Sequence, residues 1–131
     1  MTILNLFFSL IFLFHSVAME KGEEYTIDPV ISAIESGSSG ELAKYFDSSI
    51  SLNVNGQQGN YSKNQAEIVI RDFFKKNPSQ GFSIVYSSET NPSMSSFIGD
   101  YLSGQGTFKV FIKVSQQDSN FKIYSLEFVK G

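Results

Sequence analysis

The sequence contains no cysteine and a single histidine, His15. Without cysteine there is no disulfide framework, no thiolate metal site, no cysteine nucleophile and no lipid-modified N-terminal cysteine. Positive charge is also scarce: 10 Lys and Arg face 13 Asp and Glu, for a net charge of -3. A nucleic-acid binder needs clustered Lys and Arg for its phosphate contacts, so this balance argues against nucleic acid as a partner. What is present is ordinary globular material. The 131 residues, 41% hydrophobic and 18% charged, support one folded domain rather than two or a disordered chain.

The N-terminus reads as an address. Ile3–Leu13 is an apolar run, followed by Ser16-Val17-Ala18, whose small residues suit cleavage after Ala18. The run is too short to cross a bilayer core of about 30 Å, which takes roughly 20 apolar residues. No Lys or Arg precedes it, so the amino terminus alone supplies positive charge there. An uncleaved interfacial anchor is the alternative to a signal peptide. The expectation is export, to the periplasm or beyond, with no stable membrane span after cleavage. The chain then divides into a signal peptide (1–18), a flexible N-terminus (19–28) and a single α+β domain (29–131).

Cleavage removes His15. The remaining chain cannot build a Ser-His-Asp triad, a Cys-His dyad or a histidine-based zinc or iron site. Any general acid or base has to be a carboxylate, a tyrosine, a lysine or the terminal amine. No cofactor and no metal is implied.

Asp28 suits a helix N-cap and Pro29 the first turn, with Val30, Ile31 and Ile34 as the apolar side and Gly37 as the stop. Ser38 or Ser39 can cap a short second helix from Gly40 to Phe46, burying Leu42, Ala43 and Phe46. Ile50–Val54 alternates as a half-buried strand, Asn55-Gly56 makes a turn, and Gly59-Asn60-Tyr61 returns beside it. Ser62 and Gln65 form a capping box for a helix reaching about Lys76, whose apolar face carries Ala66, Val69, Ile70, Phe73 and Phe74. Asn77-Pro78 ends it.

Four strands follow. In the first, Phe82, Ile84 and Tyr86 alternate with Ser83, Val85 and Ser87. The second, Ser95–Leu102, is weakened by Gly99. The third, Thr107–Val114, sets Phe108, Val110, Ile112 and Val114 against Lys109, Phe111 and Lys113. In the last, Phe121–Val129, Tyr124, Leu126 and Phe128 share one side. Gly104-Gln105-Gly106 and Gln116–Asn120 are the hairpin loops. The order is α-α-β-β-α-β-β-β-β. The fold class is α+β: a curved antiparallel sheet wrapped around the long helix, giving a cone that is either filled or open as a pocket.

Three stretches resemble a known family: Ile34–Phe46, Tyr61–Glu67, and Asp72-Phe73-Phe74-Lys75-Lys76-Asn77-Pro78. The chain is similar to the DUF4783 family, small exported proteins of unknown function, mainly from Gram-negative bacteria. The resemblance runs from about Val30 to Val129. It implies a nuclear-transport-factor-two-like, cystatin-like cone fold and brings no activity with it.

The aromatic pairs Tyr45-Phe46 and Phe73-Phe74 read first as core. Buried tyrosines seek partners for their hydroxyls, so Tyr45, Tyr86 and Tyr124 are candidates for the mouth of the cone. Asp100 lies in a strand of Phe97, Ile98, Tyr101 and Leu102. Pointing inward it becomes a candidate general base; beside Gly99 it fits a bulge or the solvent face better. Glu127 faces away from Leu126 and Phe128. Glu67–Arg71 and Asp72–Lys76 are i,i+4 pairs with the acid first. Arg71, Lys75 and Lys76 make a small solvated basic corner, and Lys109 and Lys113 flank Phe111. Asn60-Tyr61-Ser62 is a glycosylation sequon, although Ser62 is better explained as a helix cap.

The reading these residues favour is a non-enzymatic binding module. Tyr45, Tyr86, Asp100 and Tyr124 are the candidate pocket residues, and the partner is a small apolar ligand or an envelope protein. An isomerase or dehydratase with Asp100 as base and Tyr86 or Tyr124 as donor is one alternative. A structural homodimer formed through the face carrying Phe111 is the other.

Overall fold

The computed structural model describes residues 26–117 and 120–131. The expected leader and most of the expected flexible N-terminus fall in residues 1–25, and the middle of the last hairpin loop falls at 118–119. Both lie outside the described residues.

The elements run α1 (Asp28–Glu35), α2 (Ser39–Ala43), β1 (Phe46–Val54), β2 (Gln57–Ser62), α3 (Lys63–Lys76), β3 (Ser79–Asn91), β4 (Met94–Ser103), β5 (Gly106–Gln117) and β6 (Asn120–Lys130). This is the element order that the sequence implies, and the architecture is a curved six-stranded sheet with three helices on one face.

Local chemistry accounts for most boundaries. α1 is capped by Ile27 with no side-chain bond, and Asp28 sits one position further in than the expected N-cap, in the first turn. There its carboxylate faces the positive end of the helix. Gly37 ends α1 at φ 68°, while Ser38 N–H donates to Ala33 O and Gly37 N–H to Ile34 O. These two bonds make a Schellman cap, which needs the left-handed conformation that glycine adopts freely. Ser62 Oγ accepts from Gln65 N–H and Gln65 Oε1 accepts from Ser62 N–H, closing the expected capping box of α3. Asn55 and Gly56, at φ 53° and 93°, join β1 to β2, as a two-residue hairpin turn of the primed type requires.

The second helix is shorter than expected. It stops at Ala43, and Phe46 opens β1 instead of closing the helix. The cause is tertiary: Ile123 N–H donates to Tyr45 O, and Phe46 pairs with Ile123 in a parallel ladder between β1 and β6. The sheet order is β2-β1-β6-β5-β4-β3, with every other neighbouring pair antiparallel. The last strand therefore lies in the middle of the sheet, between the first hairpin and the other three strands.

α3 lays Ala66, Ile70, Phe73 and Phe74 on the inner face of this sheet. Leu52, Tyr101, Val110, Ile112, Leu126 and Phe128 face it, each with no exposed surface. Val30 and Ile34 of α1 and Leu42 of α2 complete the core.

Two bulges re-aim tyrosines. Ile84 pairs with Gly99 and Tyr86 with Ile98, so Val85 is the extra residue in β3 and the ladder resumes with its parity changed. Tyr86 leaves the face of Phe82 and Ile84 and stands on the outer side, 57% exposed. In β6, Ile123 pairs with Val114 and Ser125 with Lys113, so Tyr124 is the unpaired residue. Ile123 is buried in its place, while Leu126 and Phe128 keep the inner face.

Candidate functional site

The cone is filled. Phe73 packs against Phe128 and Phe108 with ring centroids 4.4 Å and 5.1 Å apart, and Phe74 stacks on Tyr101 at 5.9 Å. Edge-to-face and tilted pairs of this kind add to the stabilisation given by burial alone. The Tyr101 hydroxyl donates to the backbone O of Asn77 at 2.5 Å. Burial pushes this phenol up to about 12, and the neighbouring Ser79 hydroxyl offsets that rise in part.

Open space lies beside the filled cone. A cavity of about 220 Å³ sits between the second half of α3 and the β1–β2 hairpin. Phe73, Val69 and Val54 are its apolar residues, packed on or within the core, and Tyr61 joins them from β2. The Tyr61 ring lies back along its strand over Gly59, where a Cβ would stand 3.0 Å from the ring edge. Asn55, Gln57 and Asn77 line it with amides.

Asp72 and Lys76 are the charged residues of the lining, and they pair with each other at 3.0 Å. This is the expected i,i+4 pair. Asn77 is held in place as the C-cap of α3: its N–H and its Nδ2 both donate to Phe73 O. Its Oδ1 is left to accept. Among the described residues there is no group of three or more His, Asp or Glu placed to hold a metal ion. No helix of the described residues is long and apolar enough to cross a membrane.

None of Tyr45, Tyr86, Asp100 and Tyr124 lines this cavity, and the structure does not bring the four together. Tyr45 is half-buried before β1, its ring edge-on to Phe121 at 6.1 Å. Tyr124 is half-exposed at the β6 bulge nearby. Tyr86 and Asp100 are on the outer face of the sheet, where the Asp100 carboxylate accepts from Lys109 Nζ. Asp100 thus has a cation and solvent around it.

The residues that do meet at the cavity read in the sequence as turn, strand and helix stop. Asn55 belongs to the hairpin turn and Gln57 follows it, Tyr61 ends the return strand, and Asn77 ends α3. The available signal was Gly59 two positions before Tyr61, which leaves room on the same strand face for a ring to lie down.

The family model described as domain of unknown function DUF4783 matches residues 27–128. A crystal structure of a DUF4783 family protein from Bacteroides ovatus is 28% identical, with a TM-score of 0.76, covering 84% of this chain and 98% of that one. A cystatin-like domain of unknown function from Nostoc punctiforme superposes with a TM-score of 0.63 at 13% identity, over 79% of this chain and 72% of that one. An NTF-2-like protein of unknown function from Silicibacter pomeroyi does so at 0.61 and 14%, over 80% and 89%. The last two show the fold alone. No curated protein matches the chain.

Proposed function

The chain belongs to the DUF4783 family, a domain of unknown function on an NTF2-like, cystatin-like fold, and from that premise we propose that it is an exported binding module, not an enzyme. Its ligand is a small molecule held in the cavity between α3 and the β1–β2 hairpin. The observation that carries this reading is the mixed lining: Val54, Val69 and Phe73 supply apolar surface while Asn55, Gln57 and Asn77 supply hydrogen-bonding groups. A few polar groups set into an apolar hollow are what orient a small ligand. The ligand is therefore amphipathic, where the sequence led us to expect an apolar one.

Export rests on the apolar run Ile3–Leu13 and the small residues before Met19. N-terminal sequencing of protein from its native host is expected to begin at Met19. Retention of residues 1–18 in a cytosolic fraction would overturn the export reading. For binding, Val69→Trp puts an indole into the hollow. Native mass spectrometry of the wild type with host metabolites is expected to show a bound small molecule that Val69→Trp lacks. An empty spectrum for a well-folded wild type would remove the reading.

A second reading, a homodimer, has its own observation. Tyr86, Leu102 and Val129, exposed by 57%, 45% and 39%, all stand on the outer sheet face that also carries Phe111 and Ile98. Apolar groups gathered on one face mark contact surfaces more often than scattered ones do. Sedimentation at micromolar concentration is expected to give a dimer that Phe111→Glu splits. A wild-type monomer would exclude it.

A further inference from the structure

The chemistry of the cavity lining narrows its ligand class, an inference resting on the binding reading above. Three properties of the lining matter.

The first is charge. Among the described residues, Asp72 and Lys76 are the only charged ones of the lining, and they neutralise each other at 3.0 Å. An anionic ligand would have to take Lys76 from Asp72, and a cationic one the reverse. Either exchange trades one ion pair for another on a solvent-exposed rim, where such pairs are worth little. The site therefore favours a neutral ligand.

The second is hydrogen-bonding character. The amides of Asn55 and Gln57 each carry an acceptor oxygen and two donor hydrogens. Asn77 has one Nδ2 hydrogen committed to Phe73 O, so it presents its Oδ1 acceptor and the second N–H. Tyr61 adds a hydroxyl that both donates and accepts. A lipid tail leaves these groups unmatched as it displaces their water, which carries a cost. A carboxylate only accepts, and leaves the acceptors unmatched. A set of hydroxyls, each donor and acceptor at once, matches all of them.

The third is shape. The cavity, about 220 Å³, is below the roughly 300–1,000 Å³ of pockets for drug-sized ligands. It holds one ring-sized unit. Val54, Val69, Phe73 and the Tyr61 ring share the lining with the amides, so the unit also meets apolar surface.

A neutral ring with hydroxyls at its edge and C–H groups on its face is a sugar. We infer that the cavity between α3 and the β1–β2 hairpin recognises a single pyranose unit, free or at the end of a glycan. Gln57 and Asn55 take its hydroxyls, and Tyr61 and Val69 take its C–H face.

Saturation-transfer NMR on the purified protein tests this with four probe sets: gluco, galacto, manno and 2-acetamido pyranoses; their methyl glycosides; hexanoate and octanoate; and inorganic phosphate. The expected result is transfer to the ring protons of at least one sugar. Gln57→Ala should weaken that binding by roughly tenfold, the scale of one lost hydrogen bond, and Val69→Trp should abolish it. Both variants are checked for an unchanged fold by circular dichroism. Transfer to the methyl glycoside assigns a unit that can end a glycan; transfer to the free sugar but not to its methyl glycoside assigns the free sugar. Transfer to the fatty acids, whether or not phosphate displaces them, with none to any sugar, overturns the sugar assignment and leaves the cavity as a binding site; transfer to no probe overturns the inference. Sugar binding untouched by Val69→Trp puts the site elsewhere and overturns the inference.

Discussion

The hydroxyl of Tyr101 in β4 donates to the backbone carbonyl of Asn77, the residue that ends α3. The bond joins β4, the neighbour of the edge strand β3, to the one end of the long helix where carbonyls have no helical partner. Tyr101→Phe keeps the ring that packs on Phe73, Phe74 and Phe128 and removes only this bond. It leaves a carbonyl without its donor, at a cost of about 1–3 kcal/mol. Urea unfolding at neutral pH should show a lower midpoint with an unchanged slope. An unchanged midpoint would mean that the bond contributes nothing.

The same phenol sets a pH dependence. Burial raises Tyr101 from 10.0 to about 12, so between these values the unfolded chain has lost a proton that the folded chain still holds. Stability is fully present below pH 10 and falls as pH rises toward 12. The comparison of wild type with Tyr101→Phe isolates this contribution: the gap between their melting temperatures should narrow across that interval. A constant gap would show that Tyr101 titrates alike in both states.

Gly99 is required by a close approach, not by its backbone angle. A Cβ there would stand 2.5 Å from Phe82 Cε1, 2.6 Å from Phe82 Cζ and 2.9 Å from the Ser83 carbonyl. The ring can shift, but the carbonyl belongs to the paired strand. Gly99→Ala should cost about 1–3 kcal/mol, as overpacking does. Adding Phe82→Leu should recover part of that loss, and the two changes should fall short of additivity. Full additivity in a double-mutant cycle would place the strain elsewhere.

The elements of this fold were legible where short-range chemistry sets them. The Ser62–Gln65 box, the Gly37 stop and the Asn55-Gly56 turn each act within a few residues, and each stands where the sequence puts it. What was not legible depends on partners far along the chain. Phe46 leaves the helix because Ile123, near the other end, pairs with it. Tyr86 changes face because β3 carries an extra residue relative to β4, and alternation alone cannot signal a bulge. Tyr124 is misread for the same reason. The candidate pocket inherited both errors, since it was built from alternation. The sequence left the cone either filled or open, and Phe73 and Phe74 fill it.

Gly59 separates the two things a residue at the cavity can do, hold the fold or shape the site. It lies in β2, an edge strand paired only with β1. A Cβ there would meet Cε2, Cζ and the hydroxyl oxygen of Tyr61 at 3.0, 3.2 and 3.2 Å. These contacts are with the far end of a half-exposed side chain, so the ring yields and the backbone does not. Alanine also restricts the unfolded chain more than glycine, worth about 0.4–1 kcal/mol where the native angles suit it. Gly59→Ala should therefore leave unfolding stability unchanged or slightly higher while tilting the Tyr61 ring away from its place beside Val69. Ligand binding in the cavity should weaken, and Tyr61→Ala should weaken it further. Loss of stability with binding intact would make Gly59 a structural residue and take Tyr61 out of the site.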